Sequence, residues 1–227
     1  MTTAAEVKKL VQPLLDQNSD LAWVGREIYV KPVRHFARTI LIDRISDPNG
    51  FRPQLAAAHL FDGNGAFPLN WSRWLQKPSG PMPGSWRMQD PNVARMLIET
   101  IEADALPYLR AMTSLDDYLA HTSRFGGWDL LVRPTARIII DVARGDLDKA
   151  HRTWESQREL WSVEKSNYGE EDATMLRRLR HLCALLESDD RTGLARLLHE
   201  WEARTVKNLK IEHLWESTPF PLELQSA

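Results

Sequence analysis

The chain is short of most residues that announce a chemistry. One cysteine, Cys183, in 227 residues excludes an intrachain disulfide framework and a cysteine-based metal site. No apolar run approaches the roughly 20 residues that span a bilayer, so no membrane association is expected. The opening MTTAAEVKKLVQPLL lacks a continuous apolar core ahead of a small-residue cleavage site, so it does not read as a secretory leader, and the cytoplasm is the expected compartment. Charge of one sign is lacking too: the net charge is −2, split as +3 over residues 1–80 and −5 over residues 81–227. Nucleic acid normally needs a clear basic stripe. The nearest approach to one, Arg26, Lys31, Arg34, Arg38 and Arg44, falls in a strand region where exposed charge is ordinary, and nucleic acid is not expected as a partner. Missing as well are a Gly-rich phosphate loop, HExxH, a Gly-x-Ser-x-Gly elbow and Cys/His metal spacing. The large enzyme classes find no support, and no cofactor or metal is implied.

What is present is an ordinary globular composition, 43% hydrophobic and 26% charged, in a chain long enough to bury a real core. Its clearest local signal runs from Phe36 to Phe61, where two apolar-rich runs flank Asp47-Pro48-Asn49-Gly50 and predict a β-hairpin. If Ser46 and Phe51 close the loop, Arg38 faces His59 and Phe36 faces Phe61. One face then carries Phe36, Ile40, Ile42, Leu55, Ala57 and Phe61 with the Arg38/His59 pair among them. The other carries Ala37, Thr39, Leu41, Ala56, Ala58 and Leu60, so both faces are poor in charge and both are expected to be covered.

Before the hairpin, the spacing of Val7, Leu10, Val11, Leu14 and Leu15 predicts a helix from Ala4 to Leu15, with Pro13 marking or weakening its end. Leu21 to Val30 alternates closely enough to predict one strand. After the hairpin, residues 62–90 form a Trp-rich, Gly- and Pro-rich connection with a short strand or helical turn around Trp71 to Leu75. Asp90-Pro91 reads as a helix start. A second helix is expected from Thr113 or Ser114, ending at Gly126-Gly127. The expected architecture is α+β: an N-terminal helix, a small antiparallel sheet of about three strands, then a mainly α-helical half built of helical hairpins. Residues 1–125 and 128–227 are the expected subdomains.

In the second of these, Ile138, Ile139, Leu147, Trp154 and Glu155 are matched 47 positions on by Leu185, Leu186, Leu194, Trp201 and Glu202. Paired copies of an apolar helix, a polar turn and a Trp-Glu helix suggest stacked hairpins; generic amphipathic helices match one another as readily. In the first part, the helix, the meander with WVGREIYVKP and ARTILIDRI, the Trp-rich loop and ADALPYLRAMTSLDDYL together resemble an uncharacterised family of bacterial α+β domains of unknown function. The resemblance covers residues 5–122. It implies a fold and a bacterial setting, and no site residues.

Two functional expectations follow. The first is a non-enzymatic protein-interaction module, of adaptor or immunity type, whose partner is another protein. Nine tryptophans motivate it, because aromatic anchors are enriched in interface hot spots; Trp154 and Trp201 are the expected anchors. The second is a small-molecule binder or enzyme with a pocket at the sheet, where Arg38 would hold an anion, His59 and Asp62 would exchange protons, and Trp71 and Trp74 would form an aromatic wall. Against this stands the plainer reading, in which Arg38 and His59 end a strand pair at the solvent edge and satisfy helix carboxylates, and the two tryptophans staple the loop to the sheet. Cys183 among Leu179, Leu182 and Leu186 reads as a small buried hydrophobe. His199, Glu200 and Glu202 read as a solvated surface, and His213 and Glu216 as an i,i+3 pair on a helix.

Overall fold

A capping box starts the first element. The Thr3 hydroxyl accepts the Glu6 amide (3.2 Å) while Glu6 accepts the Thr3 amide (2.8 Å), satisfying two orphan donors of α1, Ala4–Gln17. Val7, Val11 and Leu14 fall on one stripe and are fully buried. Pro13 stands inside the helix, two residues beyond the expected end belong to it, and Asn18 caps it by donating to the Leu14 carbonyl. The computed structural model describes residues 2–63, 65, 71–77, 86–123, 134–162 and 170–225; the expected Gly126-Gly127 break lies outside them.

The run Leu21–Val30, expected as one strand, is a hairpin of β1 (Leu21–Val24) and β2 (Glu27–Val30), with Leu21 opposite Val30 and Val24 opposite Glu27. Its turn falls at Gly25, φ +64°, a left-handed conformation that glycine adopts without a Cβ clash. β2 pairs with β3 (Phe36–Arg44), Ile28 opposite Ile40. β3 neighbours β4 (Gly50–His59) across the expected turn, where Asp47 accepts the Asn49 amide at 2.9 Å. β4 also pairs with β5 (Trp71–Trp74) and, at its start, with β6 (Trp86–Arg87). The α+β class holds, but the described residues build a six-stranded sheet rather than about three strands. The extra strands come from the Gly25 turn, which halves one run, and from the Trp-rich segment, which supplies β5 and β6.

The chain forms two compact units: Met1–Ala58 with Pro68–Gly127 and His213–Glu216, and His59–Phe67 with Trp128–Glu212 and Ser217–Ala227. In the first, α2 (Val93–Thr100) runs through a π turn (Ile101–Ala105) into α3 (Leu106–Arg110), followed by α4 (Leu115–Ser123). Asp90 does not cap α2 directly; its side chain accepts the Asn92 amide (3.0 Å), and Asn92 takes the N-cap. These helices cover one sheet face: Phe36 stacks on Tyr118 at 5.3 Å, and Arg73, opposite Leu55, forms an ion pair with Asp104 at 2.7 Å. The other face is buried as well, with Ala37, Thr39, Ala56 and Ala58 fully covered, as two charge-poor faces require.

The second unit contains two helical hairpins, α5 (Pro134–Arg144) with α6 (Leu147–Ser162) and α7 (Glu170–Glu187) with α8 (Arg191–Leu209), and a short α9 (Pro221–Leu224). Both turns use a left-handed residue, Gly145 in one and Asp189 in the other. These turn residues are 44 positions apart whereas the tryptophans are 47 apart, so Trp201 lies one helical turn deeper in its helix than Trp154. No helix among the described residues is long and apolar enough to cross a membrane.

Candidate functional site

Arg38 emerges from β3 toward the helices and is buried. One terminal nitrogen donates to the Met112 and Leu109 carbonyls (3.0 and 3.5 Å) and the other to those of Pro32 and Val30 (3.0 and 3.4 Å). Two of these oxygens lie at and just past the end of α3, where the helix dipole places negative potential. Burial pulls the guanidinium's pKa down, yet arginine stays charged. Both terminal nitrogens are spent on backbone, so Arg38 serves as the cap of a helix end and a turn.

His59 is buried beside Phe61, ring centroids 5.2 Å apart. Burial pushes its pKa below the ordinary value, and the nearby charge of Asp62 opposes that shift. The ring therefore stays neutral, with no open face for a substrate. This sets a pH dependence. The unfolded histidine titrates near 6.5 and the folded one lower, so between the two the unfolded state binds more protons and stability falls as pH drops below about 6.5. Urea midpoints measured at about pH 5 and about pH 7 should show a smaller acid loss for His59→Gln than for the wild type; equal losses would refute a neutral buried His59.

Trp71 and Trp74 bound strand β5, so the helical turn with one shared aromatic face does not form. Trp74 lies opposite Gln54 and donates its indole N–H to the Gln54 amide oxygen at 2.9 Å. The Arg52 guanidinium sits over its ring, 4.1 Å from the centroid. Even so held, Trp74 is 46% exposed, and Leu224 (66%) is the other exposed large hydrophobic among the described residues.

The two expected partner anchors are both buried. Trp154 on α6 donates its indole N–H to Glu187 at 2.7 Å, and Trp201 on α8 is covered by the backbone of Gly63, where an added Cβ would stand 3.1 Å from the indole. Their apolar area goes into the helical core and is not offered to a partner. Cys183 is buried, and burial pushes its thiol up to about 12, which leaves it inert as a nucleophile. His213 and Glu216 are not on a helix; Glu216 accepts from Arg34 at 3.2 Å in an exposed ion pair.

One grouping was not read from the sequence, and another was read as a solvated surface. On β2 and β3, Glu27 accepts the Thr39 hydroxyl at 3.2 Å and is hydrogen-bonded to Tyr29. Burial, the dominant cause, holds its carboxyl pKa above the usual range, and the same burial raises that of the Tyr29 phenol. Alternation puts Glu27 and Tyr29 on one face, the signal that could have found them. On α8, Glu202 is fully buried and not solvated, with His199 beside it at 3.7 Å and Glu223 of α9 on the other side of the ring at 2.9 Å. A depression of about 360 Å³ at the α5–α6 turn is lined by Asp146 and Lys149, which pair with Arg144 and Asp141 respectively.

Compared with known proteins, the chain matches no family model, no curated protein and no solved structure. The functional reading therefore rests on geometry.

Proposed function

We propose that the chain is a non-enzymatic protein-interaction module of adaptor or immunity type, and that its anchor is Trp74 with Arg52 rather than Trp154 or Trp201. The observation that carries this reading is an aromatic side chain left 46% exposed while two neighbours, Gln54 and Arg52, fix its orientation. A pre-oriented tryptophan loses little side-chain freedom when a partner covers it, and Trp and Arg are the residue types that dominate interface hot spots. Against the alternative, a small-molecule pocket centred on Arg38 and His59, count the backbone bonds of Arg38 and the burial of His59.

The test is comparative. Wild type, Trp74→Ala and Arg52→Ala are immobilised, exposed to lysate of the native host, and the eluates analysed by native mass spectrometry. A polypeptide retained by the wild type and lost by Trp74→Ala, with thermal stability of that variant lowered by no more than about 1 kcal/mol because the side chain is half exposed, supports the module. Equal retention by all three proteins refutes the assignment of Trp74, and a bound small molecule in place of a polypeptide refutes the module.

A further inference from the structure

Strand β5 stands last in the sheet order β1-β2-β3-β4-β5, and β6 meets β4 at Gly50 and Phe51 instead of lying beyond β5. Among the described residues, no strand lies along its outer edge. The phase of the ladder fixes which backbone groups stand there. The Leu75 amide donates to the Pro53 carbonyl at 2.9 Å. Proline returns no N–H, and the Trp86 indole donates to the Leu75 carbonyl instead, at 3.3 Å. With Leu75 turned toward β4, antiparallel alternation turns Arg73 toward β4 as well, and the N–H and C=O groups of Ser72 and Trp74 point outward.

Edges of this kind are usually guarded by proline or by charged side chains, lysine above all. The strand β5 holds neither lysine nor proline. The charge of Arg73 is taken by Asp104 at 2.7 Å, and that of Lys77, just past the strand, by Asp90 at 2.7 Å. Among the described residues no carboxylate takes the charge of Arg52. Alternation puts Arg52 on the same sheet face as Gln54 and Trp74, and its guanidinium lies over the Trp74 ring, 4.1 Å from the centroid. The stacking thus carries a positive charge from β4 across to β5, about 4.8 Å, one strand spacing, from a strand added at the edge.

We propose that the partner of the Trp74 and Arg52 anchor, on which this inference rests, adds a strand to β5: an extended, acidic segment of another protein. Its backbone bonds the outward groups of Ser72 and Trp74, and a carboxylate beside the indole pairs with Arg52. A row of unmet backbone donors and acceptors selects a strand, because a helix has already spent its own on itself. The cation over the indole selects the sign of the side chain that falls next to it. The same strand covers the exposed face of Trp74, so one segment uses the backbone edge, the aromatic ring and the charge together.

Two capped seven-residue peptides, one alternating valine with glutamate and one alternating valine with lysine, test this when titrated into the isotope-labelled full chain and followed by NMR. The glutamate peptide, up to about 1 mM, should shift the Ser72 and Trp74 amide signals saturably and slow their hydrogen exchange, while Arg73, already bonded to β4, keeps its rate. The lysine peptide should bind about tenfold more weakly, the effect of one charge-assisted bond, and Arg52→Ala should erase the difference. N-methylation throughout the glutamate peptide removes its donors and keeps its side chains, and should abolish binding. Unmoved Ser72 and Trp74 signals, equal binding of the two peptides, or binding that survives N-methylation overturns the added strand. Ser72→Pro separates this from the broader reading, since it removes an outward N–H and no bond to β4. In the lysate experiment, a polypeptide lost by Trp74→Ala should be lost by Ser72→Pro too. One that Ser72→Pro retains leaves Trp74 as the anchor and refutes the edge, and no retained polypeptide at all refutes both. Should Ser72→Pro fail to fold, the peptides decide alone.

Discussion

Arg38→Ala is expected to lower the unfolding free energy by about 3–6 kcal/mol, the sum of two short charge-assisted hydrogen bonds worth about 1.5–3 kcal/mol each. The Met112 and Pro32 carbonyls, both at 3.0 Å from the guanidinium, lie where alanine supplies no donor, and the longer contacts to Leu109 and Val30 go with them. Lysine keeps the charge but presents a point donor in place of a fork, so Arg38→Lys should recover no more than about half of the loss. A urea series with matched slopes reads both numbers. The same experiment separates capping from anion binding. If Arg38 held an anion, adding phosphate would stabilise the wild type and not Arg38→Ala, and the basal loss without phosphate would be small. A basal loss under about 1 kcal/mol, the size of a surface substitution's effect, would defeat the capping role.

The history of Arg38 marks the limit of what the sequence discloses. Its place on the apolar face with Ile40 and Ile42 follows from a period of two and was legible; its partners are backbone carbonyls, which no residue letter records. The turn at Gly25 was hidden for a related reason. Val24, Ile28 and Val30 alternate with Gly25, Glu27 and Tyr29, so the pattern runs on across the glycine, and only its positive φ breaks the run into two strands. β5 and β6 form because β4 offers them a partner, Gln54 to Trp74 and Phe51 to Trp86. Their own residues, among glycines and prolines, carry a weak strand signal.

The candidate sites divide the same way. Trp74 was named from the sequence for its type and position, but its exposure depends on Arg52 and Gln54, about 20 residues earlier in the chain. His199 and Glu202 were visible as neighbours on one helix. What turns them from a surface cluster into a buried carboxylate with a bridging imidazole is Glu223, 24 positions on, brought there by Phe220 and Leu222. Counting tryptophans suggested surface anchors, and the helical hairpins spent Trp154 and Trp201 on their own cores.

Trp201→Ala accordingly carries the second large effect, about 3–5 kcal/mol for truncating a buried aromatic, against about 1 kcal/mol or less for Trp74→Ala. The indole is 3% exposed and supports Gly63, whose φ of +78° and close approach to the ring leave no room for a side chain. Gly63→Ala should therefore destabilise the protein on two counts: the left-handed backbone costs an L-residue about 1–2 kcal/mol, and the methyl group presses on the indole. The double variant separates them. With Trp201 already alanine the steric part vanishes and the backbone part stays, so Gly63→Ala should cost less in that background than in the wild type, a coupling of about 0.5–3 kcal/mol between contacting residues. Urea unfolding of the four proteins in the cycle gives the number. Strict additivity would mean that Gly63 does not rest on Trp201, and a loss below about 1 kcal/mol for Trp201→Ala would return that residue to the surface and to its role as a partner anchor.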